Sequence, residues 1–233
     1  MISVVIPVFN QAARIAATLD SLFSQTYGDF EVIIVDDGST DGLSVVLDGY
    51  FSSRRPARRV VRIVQENRGA PSARNRGVRE ANGDFLFFCD ADAVLVPQAL
   101  EVMLAELTAH PEASYVYPSF YWGFKLFRFG PFSADRLRRQ PCNHTMSLMR
   151  RQAFPADGWD ERVRRLQDWD LWLTLLESGH VGRWIDRPLF TAQPGVISSG
   201  WFPKIVYRLF PFLPVVRRYN RAVAAIKRKH HLN

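Results

Sequence analysis

Phe85-Leu86-Phe87-Phe88-Cys89-Asp90-Ala91-Asp92-Ala93 decides how the rest of the chain is read. Residues 85–89 are an unbroken apolar run of the length expected of a strand buried on both faces. The run breaks into two carboxylates spaced i, i+2. An extended continuation sends both side chains to one face, and a turn also lets them converge. The carboxyl end of a buried strand is where open α/β sheets bind ligands. Paired carboxylates there can hold Mg²⁺ or Mn²⁺, with phosphate oxygens as further ligands. Taken alone, Asp90 and Asp92 serve equally well as the end of a strand and the start of the next turn.

Upstream, the same pattern recurs. Ile2 to Val8 is an apolar run closed by Pro7, and Asn10 is placed to cap a helix whose Ile15, Leu19, Leu22 and Phe23 recur at spacings of three and four. Phe30 to Val35 runs into Asp36-Asp37-Gly38-Ser39-Thr40-Asp41-Gly42, a loop of turn formers, and a helix follows from about Leu43 to Phe51. Arg54, Arg55, Arg58 and Arg59 read as a solvated basic loop. Val60 to Gln65 is a third strand, and Pro71 suits the first turn of a helix reaching Arg79. Pro97 opens another helix. This alternation predicts an α/β domain with a mostly parallel central sheet flanked by helices. Beyond Ala113 the pattern changes. Tyr115-Val116-Tyr117 reads as a strand, 118–141 as an irregular aromatic and basic region, His144 to Met149 as a strand, and Trp169 to Leu176 as a helix ended by Gly179. In that helix Trp169 and Trp172 read as core.

With 233 residues, 47% of them hydrophobic, the chain can bury a full core, which excludes wholesale disorder. Cys89 and Cys142 do not make a disulfide scaffold, so a reducing compartment is expected. Neither a secretory leader nor ~20 uninterrupted apolar residues occur, which points to the cytoplasm. The net charge of +7 is localised: residues 201–233 hold eight basic residues and no acid, leaving 22 basic against 23 acidic in the first 200. A neutral body argues against nucleic-acid binding. The basic, aromatic tail suits either an anionic membrane surface, at the inner face of the plasma membrane, or packing on the catalytic domain or on a second copy of the chain as a homodimer.

Three strand ends carry polar signatures: Asn10, Asp36 to Ser39, and Asp90 to Asp92. A doubly wound sheet gathers these along one edge into a nucleotide-sized cleft. Asp37 can accept a hydrogen bond from a base N–H, and Gly38 lets the backbone come close. No Walker A sequence or G-x-G-x-x-G is present, so a diphosphate held here needs a metal.

Val4-Val5-Ile6-Pro7-Val8-Phe9-Asn10, Gln25-Thr26-Tyr27, Val35 to Asp41, Asn67-Arg68-Gly69, Ala73-Arg74-Asn75-Arg76-Gly77, Asp90-Ala91-Asp92, Phe154 with Trp159-Asp160-Glu161, and Gln167-Asp168-Trp169-Asp170-Leu171-Trp172 follow one another in an order that resembles the family 2 glycosyltransferases. The resemblance covers roughly residues 2–195. It implies a GT-A fold, Rossmann-like, with a nucleotide-sugar half (1–112), an acceptor-binding half (113–200) and a separate extension (201–233). It also implies that Pro7, Phe9, Asn10, Asp37, Gly38, Asn67, Arg74, Asp90 and Ala91 line the donor, a UDP-sugar by preference with GDP- or dTDP-sugars as alternatives. Pro7, Phe9 and Asp37 would meet base and ribose, and Asp90 the ribose. Arg74 reads equally as a helix-surface charge. Asp92, with Asp90 and Gln193, would hold Mg²⁺ or Mn²⁺. Asp168 takes the position of the catalytic base of an inverting single-sugar transfer to a glycan or lipid-linked acceptor in cell-envelope synthesis.

This sequence departs from the family pattern at two places. Gln167 stands where a glutamate usually precedes the base, and Gln193 where a histidine often assists the metal. The Q-x-x-R-W motif of processive synthases is missing, because Gln does not precede Arg183-Trp184 at the required spacing. Two other functions fit parts of the pattern: a nucleotidyltransferase releasing pyrophosphate, and a non-catalytic nucleotide- or carbohydrate-binding relative.

Overall fold

The structure, a computed structural model, describes residues 1–54, 56–193 and 212–232. Its strands and helices alternate as β1 (Ile2–Val8), α1 (Ala12–Phe23), β2 (Phe30–Asp36), α2 (Leu43–Ser53), β3 (Val60–Val64), α3 (Ala70–Glu80), β4 (Phe85–Phe88), β5 (Ala93–Leu95), α4 (Ala99–Ala109), β6 (Tyr115–Trp122), β7 (Lys125–Phe127), α5 (Ala134–Arg139), β8 (Leu148–Arg150), α6 (Gln167–Glu177), β9 (Gly182–Ala192) and α7 (Pro214–Lys229). The sheet runs β3-β2-β1-β4-β8-β6-β9-β5, with β7 added beside β6.

The first four strands are parallel, with Val8 opposite Asp36 and Val5 opposite Phe88. Successive residues of β1 serve opposite faces: Val4, Ile6 and Val8 pack with Ile15 and Leu19 of α1, and Val5 packs with Ile33, Phe88 and Trp172 on the other side. Burial on both faces is why these strands read as continuous apolar runs and not as alternating ones. The chain proceeds from β1 outward through β2 to β3, then returns to place β4 on the opposite flank of β1. The β1–β4 boundary is therefore the topological switch point, and the crevice beyond its carboxyl ends is where a ligand is expected.

The rest of the sheet is mixed: β4–β8, β6–β8 and β5–β9 are antiparallel, and β6–β9 is parallel. The β6–β9 pairing is bulged. Its residue separation is 67 at Tyr115–Gly182 and 70 at Tyr121–Thr191, so β9 carries three extra residues. The region 118–141, expected to be irregular, is ordered. β6 continues to Trp122, turns through Gly123 (φ +56°) into β7, and leads to α5. Phe120 stacks on Phe127 and Phe190, so aromatic packing supplies the order that no periodic pattern announced. Trp169 and Trp172 are core, the latter stacked on Tyr115 at 4.4 Å. Among the described arginines of the loop expected to be solvated, Arg59 instead ion-pairs with the buried Glu31 of β2.

The described part of the basic tail is a helix packed on the domain. Val216 and Ile226 of α7 are buried, Lys229 Nζ lies 2.8 Å from the Asp170 carboxylate, and His230 Nε2 lies 2.9 Å from it. Lys204 and Arg208 lie outside the described residues. Among the described residues no helix is long and apolar enough to cross a membrane.

Candidate active site

The carboxyl ends of β1 and β2 are tied together before any ligand arrives. Asn10 adopts φ +52°, a left-handed conformation that asparagine tolerates better than most residues. Its Oδ1 accepts from Thr40 N at 2.8 Å and its own N–H donates to Ser39 Oγ at 3.0 Å. Asn10 therefore does not cap α1 as expected. Asp41 serves the start of α1, accepting from Ala12 N at 2.8 Å, because the side chain of Asn10 is turned to the second loop.

Asp37 is almost fully buried, and its carboxylate is taken up by its own chain. It accepts from Gln65 Nε2 (2.8 Å), Arg68 N (2.9 Å) and Gly69 N (2.8 Å). It thereby shapes the 65–69 loop, which includes the exposed Asn67. Gly38 is required beside it: φ is +77°, and a Cβ would stand 2.9 Å from Asn67 N. Pro7 is half-buried and Phe9 exposed at the mouth of this crevice.

Arg74 reaches the same crevice from α3. Gly77, one turn further on, lets that helix lie against β1, since a Cβ there would meet Val5 Cγ1 at 2.3 Å. Of the two roles open to Arg74, the structure excludes the helix-surface one. The side chain is buried, with Nη1 donating to Gln167 Oε1 at 3.1 Å, Nη2 3.4 Å from Asp90 Oδ1, and the guanidinium 4.7 Å above the Trp159 ring. Trp159 is in turn clamped by Asn75, whose Oδ1 accepts from Trp159 N (2.8 Å) and whose Nδ2 donates to Trp159 O (2.9 Å). The Arg74-Asn75 pair and the Trp159 segment, 84 residues apart, are one unit.

Asp90 and Asp92 flank a turn and are 45% and 29% exposed, so both carboxylates remain open to solvent and ligand. The turn is fixed by Thr18 Oγ1 donating to Ala91 O (2.9 Å) and by Gln193 N donating to Asp92 O (3.1 Å). Gln193 is thus brought beside Asp92 from 101 residues away. Burial, then the charge of Asp90, pushes the Asp92 carboxyl up, and Arg14 (Nη1 to Oδ2, 3.6 Å) pulls it back. A divalent cation relieves that repulsion. Among the described residues no group of three His, Cys, Asp or Glu side chains is placed to hold a metal ion by itself. Two carboxylates completed by phosphate oxygens and water are nevertheless a normal Mg²⁺ set, so the residues fit such an ion.

Asp168 sits in the first turn of α6, after Leu166 in the left-handed conformation (φ +58°). Its Oδ1 accepts from Trp169 N at 2.9 Å. Burial raises its pKa, the Trp169 N–H and the Arg74 cation oppose the rise, and the Asp90 charge adds to it. The half-buried carboxylate at the crevice is more basic than an ordinary one, which suits proton abstraction.

The sequence profile described as Glycosyl transferase family 2 matches residues 3–156. The chain belongs to glycosyltransferase family 2. A "PGL/p-HBAD biosynthesis glycosyltransferase" of Mycobacterium bovis (strain BCG / Pasteur 1173P2) is 36% identical over 175 residues, which are 73% of this chain and 67% of that one. The chondroitin synthase of Escherichia coli is 30% identical over 77% of this chain, which spans only 27% of that protein. Staphylococcus aureus TarS 1-349, solved with UDP-GlcNAc, superposes with a TM-score of 0.71 at 19% identity, over 92% of this chain and 66% of that one. The mannosyltransferase PcManGT of Pyrobaculum calidifontis, solved with GDP-Man and Mn²⁺, gives 0.68 at 22% identity, over 97% and 69%. These superpositions establish the shared GT-A fold.

One residue of the transferase's crevice escaped the sequence. Arg14 is a cation in the first turn of a helix that has no acid there, against the macrodipole. Such a placement signals an anion opposite, and that anion is Asp92. Trp159 was named within the family pattern, but its place under the Arg74 guanidinium was not, since a tryptophan that supports a guanidinium is indistinguishable by sequence from one that fills the core.

Proposed function

We propose that this transferase moves a single sugar from a nucleoside-diphosphate sugar to a hydroxyl acceptor with inversion, residues 1–112 binding the donor and 113–200 the acceptor. The observation that carries the proposal is the meeting of Arg74 with Asp90 and Gln167, beside Asp168, at the switch-point crevice. In this reading Asp168 accepts the acceptor hydroxyl proton as that oxygen attacks the anomeric carbon. Arg74 holds Asp90 and the start of α6 in one frame, donating to the neutral amide oxygen of Gln167 where a glutamate would offer a charged acceptor. Asp92 with Asp90 would hold Mg²⁺ or Mn²⁺, with the Gln193 side-chain oxygen as a neutral third ligand, and the ion would supply charge neutralisation to the departing diphosphate. Asp37, its carboxylate spent on the 65–69 loop, serves the nucleotide by holding that loop, and Pro7 and Phe9 face the base. UDP-, GDP- and dTDP-sugars remain the donor candidates. The 36% identity to the PGL/p-HBAD biosynthesis glycosyltransferase supports a glycan or lipid-linked acceptor in the cell envelope.

Thermal-shift titration with UDP-, GDP- and dTDP-sugars in Mn²⁺ tests the donor site, because a ligand that binds only the folded state stabilises it by mass action. One donor should stabilise the protein in a metal-dependent way that Asp92→Asn removes. Turnover should release nucleoside diphosphate. Release of pyrophosphate from a nucleoside triphosphate would refute transfer of a sugar and favour the nucleotidyltransferase.

A further inference from the structure

The segment that leads into Asp168 and one side of α7 form the two walls of a groove of about 640 Å³. One wall presents Arg162, Arg164 and Arg165, and the other presents Arg218, Arg221 and Lys229. Val163, Ala222, Ala225 and Ile226 also line it. Asp160 is the one acid among its described lining residues, and its charge is already spent. Arg162 Nε (3.0 Å) and Lys229 Nζ (2.9 Å) both bind it, and they hold its carboxyl well below the usual range, Arg162 foremost. Lys229 also serves Asp170, and Arg164 donates to Arg68 O at 3.1 Å. That leaves Arg165, Arg218 and Arg221, drawn from both walls, without a hydrogen-bond or ion-pair partner among the described residues.

Three unpaired guanidinium groups lining one concavity carry like charge, and an anion between them offsets their repulsion. Guanidinium is the planar, forked donor that matches phosphate oxygens two at a time. The apolar lining suits the organic part of an ester. A carboxylate offers too few oxygens to satisfy two facing walls, whereas a phosphate or diphosphate has acceptors on every side.

We propose that this groove binds a phosphate ester, the charged group of the acceptor. Arg164 and Arg165 lie three to four residues before Asp168, so an acceptor anchored here is tethered to the segment that carries the base. Arg164 also contacts the backbone of the Asp37-held loop, which places the groove against the donor side as well. The assignment of the anion to an acceptor rests on the transfer reaction proposed above. The binding itself does not, and it is measured without donor or turnover.

The probe is inorganic pyrophosphate, titrated calorimetrically in EDTA so that no metal can recruit it to Asp90 and Asp92. A second arm uses sedimentation with phosphatidylcholine vesicles, with and without phosphatidylglycerol. Arg218→Gln with Arg221→Gln alters one wall, and Arg165→Gln alters the other. Each should weaken binding about tenfold or more, since charge-assisted contacts to phosphate are the strong ones. UDP binding in Mn²⁺ should be unchanged, which certifies folding and separates a failure here from a failure of the donor site. Pyrophosphate binding without vesicle binding assigns a soluble phosphorylated acceptor. Binding to phosphatidylglycerol vesicles that pyrophosphate displaces assigns a lipid-borne phosphate. The proposal is overturned if the wild-type protein binds neither probe, or if binding survives the changes on either wall.

Discussion

Asp170→Asn tests how α7 is held, because this one carboxylate receives two cations from the end of that helix. Asp170 is 3% exposed and accepts from Lys229 at 2.8 Å and from His230 at 2.9 Å, while the other imidazole nitrogen faces Glu177 at 2.8 Å. Breaking a buried ion pair from one side costs about 3–5 kcal/mol. The Lys229 contact is partly solvated and adds only about 0–1 kcal/mol. Removal of the charge with the volume kept should therefore weaken docking by about 3 kcal/mol, on the order of a hundredfold in the local opening equilibrium. Burial of Val216 and Ile226, each worth about 1.5–3 kcal/mol, still favours the docked state, so α7 should open more often without the sheet unfolding. Hydrogen exchange followed by mass spectrometry reads this directly: peptides from 214–229 should exchange about a hundredfold faster, with β1 and β4 unchanged. The wild-type pH dependence gives a second reading. Burial works to lower the His230 pKa from 6.5, but the hydrogen bonds to Asp170 and Glu177 outweigh it and the net shift is upward. A raised histidine pKa means that its contribution is complete below about pH 6.5 and is lost as pH rises through the higher folded value. Asp170→Asn should flatten that profile. Unchanged protection of α7 in the variant, or wild-type docking that strengthens with rising pH, would refute the reasoning.

Asp168→Asn should lower kcat by about 10²–10⁴ while leaving UDP affinity in Mn²⁺ unchanged, by steady-state kinetics and calorimetry. Because Asp168 is raised above 3.8 and must be unprotonated to act, activity should fall as pH falls through that raised value. Arg74→Gln removes an opposing cation and should move this acid limb upward by about one pH unit or more. Asp37→Asn turns an NH₂ towards backbone N–H donors and should cost about 2–4 kcal/mol in denaturant unfolding, with weakened donor binding. Gly77→Ala sets a methyl 2.3 Å from Val5 Cγ1, between two main chains that cannot easily part, and should destabilise by about 1–3 kcal/mol.

The parallel half of the sheet was legible because strands buried on both faces write themselves as apolar runs, and helices between them as repeats of three and four. Asp90, Asp92 and Asp168 were legible for a related reason: each follows or precedes such an element, so its position on the crevice comes with the fold. Asp37 was placed correctly at a strand end, but sequence cannot tell which donors a carboxylate will meet, and here the chain's own backbone takes them. The 118–141 region failed for another reason. Its order comes from Phe120 stacking on Phe127 across a hairpin and on Phe190 seventy residues away, an arrangement with no helical or strand period. The direction in which α7 turns its basic face was equally hidden, since the partners that fix it, Asp160, Asp170 and Glu177, lie more than fifty residues away.

The bulges in β9 make that strand a length code for the corner at Asp92. Gln193 arrives at Asp92 only because three additional residues are absorbed between Pro118 and Tyr121 of the partner strand. One residue more or fewer would slide the end of β9 by about 3.3 Å and would reverse which face its last side chain presents. The change would also turn Leu189 and Phe190 out of the core they help to fill, while the switch-point strands lie on the far side of β8. An insertion or deletion in 186–188 would therefore change the residue set beside Asp92 and the packing of Leu189 and Phe190 together.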